Sequence, residues 1–344
     1  MGTTRSLVTG GSGFVGRALV DALVARGDEV TVADVSDGPP RDGVRFVRLD
    51  LRDERATRAA CAGQDVVFHN ASLVHTRRTH VDDVWAVNLG GTRHVLAGCR
   101  EHGVPRLIYV SSASAVYEGR DIENGDESLP YSRISQAPYA DSKIAAEKEV
   151  LRASGDRLLT CAVRPHVVFG PGDQRFLPAI LARARAGKLR YAVGRRRTLS
   201  DFTYVDNLVD ALLLADARLV PGSPTAGRAY FVTNGEPIAF WDFVRGVLRR
   251  LSLPPIRGTV PYPLAYAVAA AHEAVDTLRG GRLGAEDGLS RFAIRYMCTH
   301  HYFSIERARR DLGYAPRVSI ADGIERTARH LEQTGAAPGA RSAA

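Results

Sequence analysis

Two spacings of apolar residues alternate along the first half of the chain. Short apolar runs predict buried strands, and segments with an apolar residue at every third or fourth position predict amphipathic helices. Val15, Leu19 and Leu23 show the helical spacing, and Gly27 after them is a stop signal. Strands are predicted at 6–9, 29–33, 44–48, 65–69, 106–111, 159–163 and 229–233, and helices at 14–26, 84–102, 138–153, 176–186, 206–217 and 320–331. This alternation predicts a parallel sheet with helices on both faces.

A glycine-rich loop, Gly10–Gly16, joins the first predicted strand to the first predicted helix. Its glycines at 10, 13 and 16 permit a tight turn and a close approach to a pyrophosphate, which the N-terminus of the helix also favours. Asp34 ends the second predicted strand, 18 residues after Gly16. A carboxylate at that point accepts hydrogen bonds from the adenosine ribose and repels a 2′-phosphate. The loop and the acid together predict a site for NAD, with NADP less favoured.

The order of elements predicts an α/β fold: a Rossmann-type doubly wound parallel sheet with a smaller, mostly helical C-terminal substrate domain. We assign residues 1–164 and about 206–238 to the dinucleotide-binding domain. The alternation weakens in the middle of the chain, so we assign 165–205 and 239–333 to the substrate domain. The end of the chain, 334–344, lacks an apolar period and is predicted to be a disordered tail.

Three polar residues have the spacing of a catalytic group. Tyr139 and Lys143 lie four residues apart, and therefore on one face of a predicted helix. A tyrosine with a pKa near ~10 is a poor base at neutral pH, but an adjacent ammonium favours the phenolate. We expect Tyr139 to exchange a proton with an alcohol or ketone while hydride moves to or from the cofactor. Ser112 follows the fifth predicted strand and is expected to hold the substrate oxygen.

These motifs and several longer phrases resemble the extended short-chain dehydrogenases, over about residues 5–333. Within that group the chain is similar to the 3β-hydroxysteroid dehydrogenase branch, and there to the sterol-4α-carboxylate 3-dehydrogenases (decarboxylating). The 2-alkyl-3-oxoalkanoate reductases share many of the same phrases. The matching segments are Thr9–Gly16, His69–Ser72, Asn88, Val110–Ser112, Tyr139–Lys143, Arg164-Pro165-His166, Phe169-Gly170-Pro171, Asp201-Phe202-Thr203 and Tyr302-Phe303-Ser304.

The resemblance implies roles for individual residues. Ser112, Tyr139 and Lys143 take the catalytic roles. The implied cofactor positions are Gly10, Ser12, Gly13, Phe14, Val15, Gly16, Asp34, Asp50, Leu51, Asn70, Ala71, Ser72, Asn88, Val110, Tyr139, Lys143, Pro165 and Val167. The expected substrate positions are Ser112, Ser114, His166, Phe176 and Arg197. We expect a homodimer and no metal site.

Two substrate classes stay open because they share one chemical unit. A sterol 4α-carboxylate and a 2-alkyl-3-oxo acid both carry an oxygen at carbon 3 and a carboxyl group on the adjacent carbon. We expect NAD-dependent dehydrogenation of the 3-hydroxy group of a bulky hydrophobic substrate, and the resulting β-keto acid can lose carbon dioxide. Reduction of a 2-alkyl-3-oxoalkanoate is the alternative. An NDP-sugar epimerase is the alternative of another class, since fold does not fix function.

The substrate pocket is expected to be large and apolar, closed by the segment 165–205 and the helices after 258. The basic run Arg195–Arg197 is expected to bind a substrate carboxylate or a diphosphate, or else to be a solvated loop. The expected apolar lining is Val167, Phe169, Phe176, Leu177, Tyr262, Leu264 and Tyr266.

Composition narrows the choice of partners. The net charge is +8, but no nucleic-acid recognition motif accompanies it, so we expect a hydrophobic small molecule and no nucleic acid. The four cysteines form no metal-ligand pattern and are expected to be reduced thiols of a cytoplasmic protein. No apolar run reaches about 18 residues, the length that would predict a membrane span. The segment 264–278 contains His272 and Glu273, so we expect at most a peripheral contact with a membrane surface.

Overall fold

The computed structural model describes residues 3–38, 41–74, 80–194, 197–278 and 290–334. Its strands are β1 (Arg5–Thr9), β2 (Glu29–Asp34), β3 (Val44–Arg48), β4 (Val66–His69), β5 (Arg106–Val110), β6 (Ile122–Gly125), β7 (Leu159–Pro165), β8 (Val168–Phe169), β9 (Tyr191–Val193), β10 (Leu199–Ser200), β11 (Thr203–Tyr204), β12 (Arg228–Val232), β13 (Ile238–Ala239), β14 (Gly258–Val260) and β15 (His301–Phe303). Its α-helices are α1 (Phe14–Arg26), α2 (Glu54–Ala60), α3 (Val81–Trp85), α4 (Gly91–Glu101), α5 (Pro138–Arg152), α6 (Phe176–Arg185), α7 (Val205–Arg218), α8 (Phe240–Arg250), α9 (Tyr262–Leu278), α10 (Arg291–Met297), α11 (Glu306–Leu312) and α12 (Ile320–Gln333).

Seven parallel strands form the central sheet, in the order β12-β7-β5-β4-β1-β2-β3. The chain starts at β1, extends the sheet in one direction through β2 and β3, and then returns to extend it in the other through β4 and β5. This reversal opens a crevice at the carboxyl ends of β1 and β4, where α/β proteins of this topology bind their ligands. The predicted Rossmann-type doubly wound sheet is confirmed.

Both faces of the central sheet are buried, which explains why its strands are continuous apolar runs. Consecutive residues of β1 point to opposite faces. Val8 belongs to the same buried cluster as Leu19 of α1 and Leu212 of α7. Its neighbour Leu7 belongs to a second cluster, on the opposite face, together with Val95 of α4. The crevice therefore lies at the end of a sheet that is packed on both faces.

The predicted helix 84–102 differs from the structure in its middle. The π-helical turn Ala86–Gly90 separates α3 from α4, whereas the apolar spacing predicts one uninterrupted helix. Such turns often lie at functional sites. Here the turn contains Asn88, whose side chain accepts a hydrogen bond from the Leu73 amide at 2.7 Å and donates to the Ser142 hydroxyl at 2.9 Å. These two hydrogen bonds link the segment after β4 to helix α5.

Short strands that the sequence does not predict form three further sheets, mostly from the second half of the chain. Strands β13, β10, β15 and β6 form a four-stranded sheet, and β11–β8 and β14–β9 are two-stranded. These strands are two to four residues long, too short to show a period. Ile305, Ala308 and Leu312 pack into the core around Val8, although the sequence assigns them to the substrate domain. The division into two domains stays a prediction.

Within the described parts of the chain, none of the helices is long and apolar enough to cross a lipid bilayer. The longest, α9, exposes several apolar side chains, among them Leu264 and Val268. Of the predicted tail, 335–344 lies outside the described residues.

Candidate active site

The glycine loop after β1 is packed too closely for side chains. Gly10 has a φ of 69°, and a Cβ on it would lie 2.7 Å from the Cα of Ala71. A Cβ on Gly16 would lie 2.1 Å from the carbonyl oxygen of Gly10. Helix α1 starts directly after Gly13 without a side-chain cap, so the amides of its first turn are available to an anion. The loop has the form of a pyrophosphate cradle.

Two residues beside the loop present polar atoms to the crevice. The carboxylate of Asp34, at the end of β2, accepts hydrogen bonds from the backbone amides of Ser12 and Ser36, at 3.0 and 3.1 Å. The Ser12 hydroxyl is buried and has no hydrogen-bond partner among the described residues. Asp50 pairs with Arg52 at 2.6 Å, and this hydrogen bond holds the pKa of Asp50 below its ordinary value. These groups fit the ribose and phosphate oxygens of a dinucleotide.

One cavity of about 1060 Å³ connects the glycine loop to the predicted catalytic group. Gly16 and Asn88 do not line this cavity: Gly16 lies against the backbone of the loop, and Asn88 holds the segment after β4 from behind. The other predicted cofactor positions line it: Gly10, Ser12, Gly13, Phe14, Val15, Asp34, Asp50, Leu51, Asn70, Ala71, Ser72, Val110, Tyr139, Lys143, Pro165 and Val167. The close-packed loop, the unpartnered Ser12 hydroxyl and this shared cavity fit a nicotinamide adenine dinucleotide.

Lys143 is buried beneath the cavity, on helix α5. Its ammonium donates a hydrogen bond to the carbonyl oxygen of Val110 at 2.5 Å and lies 4.1 Å from the centre of the Tyr109 ring. Burial lowers the pKa of Lys143 to about 7, and the negative charge of Glu147 opposes this shift. Burial therefore weakens the hold of the lysine on its proton, and the Glu147 carboxylate strengthens it.

Tyr139 lies one helical turn before Lys143, in the cavity wall. Burial raises the pKa of the Tyr139 phenol above its ordinary value. The neighbouring Ser112 hydroxyl and the positive charge of the Arg175 guanidinium oppose this rise. A phenol, a hydroxyl and an ammonium thus meet in one cavity. This set can bind an alcohol or carbonyl oxygen and exchange its proton.

A family model described as the 3-beta hydroxysteroid dehydrogenase/isomerase family matches residues 7–261 of this chain. The chain belongs to this family. It is 41% identical over 324 residues to the 2-alkyl-3-oxoalkanoate reductase of Stenotrophomonas maltophilia, covering 93% of this chain and 97% of that protein. It is 37% identical over 334 residues to the sterol-4-alpha-carboxylate 3-dehydrogenase, decarboxylating, of Homo sapiens, covering 96% of this chain and 89% of that protein.

Solved structures share the fold of this family member. The structure of MoeE5 in complex with UDP-glucuronic acid and NAD superimposes with a TM-score of 0.75 and covers 96% of this chain and 99% of that one. The two sequences are 22% identical, so the likeness concerns the fold alone. The named relatives are dehydrogenases and reductases, and the chain is an NAD(P)-dependent oxidoreductase that acts on CH–OH groups.

The predicted substrate positions divide between the cavity and its surroundings. Ser112 and Phe176 line the cavity. Ser114 lies beside it and donates a hydrogen bond from its hydroxyl to the Ser112 hydroxyl oxygen at 2.9 Å. Arg197 pairs with Asp242 at 2.8 Å on the surface and does not line the cavity. Arg195 and Arg196 lie outside the described residues.

His166 is buried behind the cavity rather than in its lining. Its Nδ1 lies 2.6 Å from the carbonyl oxygen of Asp201, and its Nε2 lies 2.6 Å from the hydroxyl of Tyr296. Because the carbonyl only accepts, Nδ1 carries the proton and Nε2 accepts the hydrogen bond from Tyr296. Burial lowers the pKa of His166, which stays neutral. The histidine joins three segments of the chain beneath the substrate side.

Only some of the apolar residues expected to line the pocket do so. Val167 and Phe176 line the cavity, whereas Phe169 and Leu177 are buried in the core beside α8. Leu264 is exposed on α9. The cavity has further lining residues that the sequence does not identify, among them Val74, Asp173, Gln174 and Arg175. An available signal was the acid before the predicted helix 176–186, since aspartate is a preferred N-cap.

Proposed function

We propose that the protein is an NAD-dependent oxidoreductase that interconverts the 3-hydroxy and 3-oxo forms of a bulky hydrophobic acid, whose carboxyl group stands on the carbon next to the reacting one. The observation that carries this proposal is the single cavity of about 1060 Å³ that both the glycine loop and the group Ser112, Tyr139 and Lys143 line. The cavity is large enough to hold a substrate beside the dinucleotide.

In the oxidative direction the substrate hydroxyl gives its proton to the Tyr139 phenolate. The hydrogen on the same carbon leaves with its electron pair, and the bound nicotinamide supplies the acceptor for this hydride. In the reductive direction the same tyrosine returns a proton to the oxygen that receives it. Ser112 holds this oxygen by a hydrogen bond, and Lys143 lies beneath Tyr139 with its positive charge. Each residue thus acts on the substrate oxygen or on the group that protonates it.

A 2-alkyl-3-oxoalkanoate is the substrate class that we favour. The relative whose name contains this substrate is the more similar of the two named above, at 41% against 37% identity. A sterol 4α-carboxylate contains the same reacting unit, and its oxidation gives a β-keto acid. Such an acid loses carbon dioxide when the electrons of the bond to the carboxylate move into the ketone. The site needs no dedicated residue for that step.

A substrate panel tests this proposal. The purified protein is incubated with NAD and, separately, with a 2-alkyl-3-hydroxyalkanoate, a 4α-carboxysterol and UDP-glucose, and absorbance of the reduced cofactor is followed. We expect accumulation of NADH with the first substrate and a lower rate with the sterol. Conversion of UDP-glucose to UDP-galactose, without turnover of either acid, would overturn the proposal in favour of an epimerase.

A further inference from the structure

Arg175 lines the cavity just before helix α6. Asp173 caps helix α6, because its carboxylate accepts hydrogen bonds from the backbone amides of Arg175, Phe176 and Leu177 at 2.8, 3.1 and 2.8 Å. The Arg175 side chain then extends to the segment after β4 and donates to the carbonyl oxygen of Val74 at 2.7 Å. Asp173 therefore holds the backbone of Arg175, and the segment after β4 holds its guanidinium.

The Arg175 guanidinium has donors left for a ligand. A guanidinium carries five N–H donors, and the contact with Val74 uses one of them. No carboxylate of the described residues pairs with Arg175, and the nearby Asp173 is occupied with the backbone amides of α6. By contrast, Arg52, which lines the same cavity, pairs with both Asp50 and Asp83.

The guanidinium also lies within electrostatic reach of the catalytic tyrosine, since it lowers the pKa of Tyr139. Both residues line the same cavity. Arg175 is thus a positive charge near Tyr139, at the reacting end of the cavity. A substrate that places its oxygen at Tyr139 would direct a neighbouring group toward this charge.

We propose that Arg175 binds the substrate carboxylate and so determines that the site accepts 3-hydroxy and 3-oxo acids. This inference rests on the proposed function, because it identifies the group that recognises the acid. A guanidinium matches a carboxylate with two parallel hydrogen bonds, which fixes orientation as well as adding affinity. The carboxylate stands one carbon from the reacting centre, so this contact orients the carbon–hydrogen bond that reacts. It replaces the role that the sequence suggests for the run at Arg195–Arg197.

The test compares an acid with its neutral ester. The value of kcat/KM is measured for a 2-alkyl-3-hydroxyalkanoate and for its methyl ester, with wild type, Arg175→Gln, Arg175→Lys and Arg197→Gln. Loss of a charge-assisted pair predicts a decrease of about 10- to 100-fold for the acid in Arg175→Gln. The ester should change less than about threefold, and Arg175→Lys should recover part of the loss. Arg197→Gln is the control and should resemble wild type, because its guanidinium pairs with Asp242 away from the cavity.

Arg175 could instead bind the pyrophosphate of the cofactor. The affinity for NADH, measured by its fluorescence, distinguishes this role from binding of the substrate carboxylate. We expect the same dissociation constant for Arg175→Gln and wild type. A tenfold weaker binding of NADH would assign Arg175 to the cofactor pyrophosphate and overturn the inference. Equal losses for acid and ester would overturn it as well, while leaving the proposed function in place. If wild type turns over neither compound, the proposed function fails, and the inference fails with it.

Discussion

Glu147 of the catalytic helix α5 and Arg164 of strand β7 form a buried ion pair. Their side chains are 0% and 5% exposed, and Arg164 Nη2 lies 2.5 Å from Glu147 Oε1. The Tyr131 hydroxyl donates a further hydrogen bond to the same carboxylate oxygen at 2.7 Å. Since Glu147 is one turn after Lys143 on α5, the ion pair both anchors the helix and places a negative charge near the lysine.

Removal of this charge should destabilise the fold. Glu147→Gln leaves the buried Arg164 without a counter-ion, and such losses typically cost about 3 kcal/mol or more. The measurement is the free energy of unfolding in urea. Glu149→Gln, on the same helix, is the matched control, because its pair with Arg93 is partly exposed and contributes at most about 1 kcal/mol. Equal losses in the two variants would contradict the role of burial.

The same substitution should alter the pH dependence of turnover. Glu147 raises the pKa of Lys143, so Glu147→Gln should lower it further below about 7. The ammonium then loses its proton at lower pH, and the alkaline limb of the kcat profile should move in that direction. A profile that falls in amplitude without shifting would show that Glu147 affects activity only through stability.

Tyr139→Phe should abolish turnover and leave cofactor binding nearly unchanged. The substitution removes only the hydroxyl that exchanges the proton, a contribution of about 10²- to 10⁴-fold. Turnover and the dissociation constant of NADH are measured on the same preparation. Lys143→Ala provides the contrast: it should reduce both, because we expect its ammonium to contact the nicotinamide ribose as well as Tyr139. Activity of Tyr139→Phe near the wild-type level would reject the mechanism.

NAD should be preferred over NADP. The Asp34 carboxylate stands at the end of β2, fixed by the amides of Ser12 and Ser36, where it would repel a 2′-phosphate. Arg41, the nearest basic residue in the sequence, pairs with Asp21 at 2.6 Å. The ratio of kcat/KM for the two cofactors should favour NAD, and Asp34→Asn should reduce this ratio. A tenfold preference of wild type for NADP would contradict the assignment.

Three buried histidines, His69, His166 and His301, should make the fold acid-labile, because burial lowers the pKa of each. Burial lowers the pKa of His69 from 6.5 to about 3 and that of His301 from 6.5 to about 4. Below pH 6.5 the unfolded chain therefore binds protons that the folded chain does not, so stability falls as the pH falls, until each histidine is protonated in the folded state as well. Each site lowers the free energy of unfolding by up to about 1.4 kcal/mol per pH unit in this window.

Urea unfolding between pH 7 and pH 4 measures this dependence. His69→Gln should make it less steep, since one of the three titrating sites is removed. The exposed His102, which follows the last residue of α4, provides the control, and His102→Gln should keep the wild-type slope. An unchanged slope in His69→Gln would show that its protonation does not limit stability in acid.

The sequence predicts the parts of the fold and site where the pattern of neighbouring residues reflects the place of the segment in the folded protein. The strands of the central sheet are buried on both faces, so they are apolar runs, and the glycine loop follows the first of them. The topology brings the ends of these strands together at the crevice. The cavity there is lined by Gly10, Asp34, Tyr139 and Lys143.

Contacts between distant segments could not be predicted in this way. Arg175 reaches the Val74 carbonyl across 101 positions of the sequence, and His166 meets Tyr296 across 130. Neither contact has a periodic pattern that would indicate it. The role expected for Arg197 rested on charge density alone, and charge density does not distinguish a pocket residue from one that is paired with Asp242 on the surface.

In the reaction that we propose, hydride leaves the carbon next to the carboxyl-bearing one. The most direct measurement uses a 2-alkyl-3-hydroxyalkanoate deuterated at carbon 3, incubated with the protein and NAD, followed by mass spectrometry and NMR of the reduced cofactor. We expect the substrate deuterium to appear at carbon 4 of the nicotinamide with wild type, and we expect none there with Tyr139→Phe. Reduced cofactor without deuterium, or no reduction with this acid while UDP-glucose is epimerised, would contradict it.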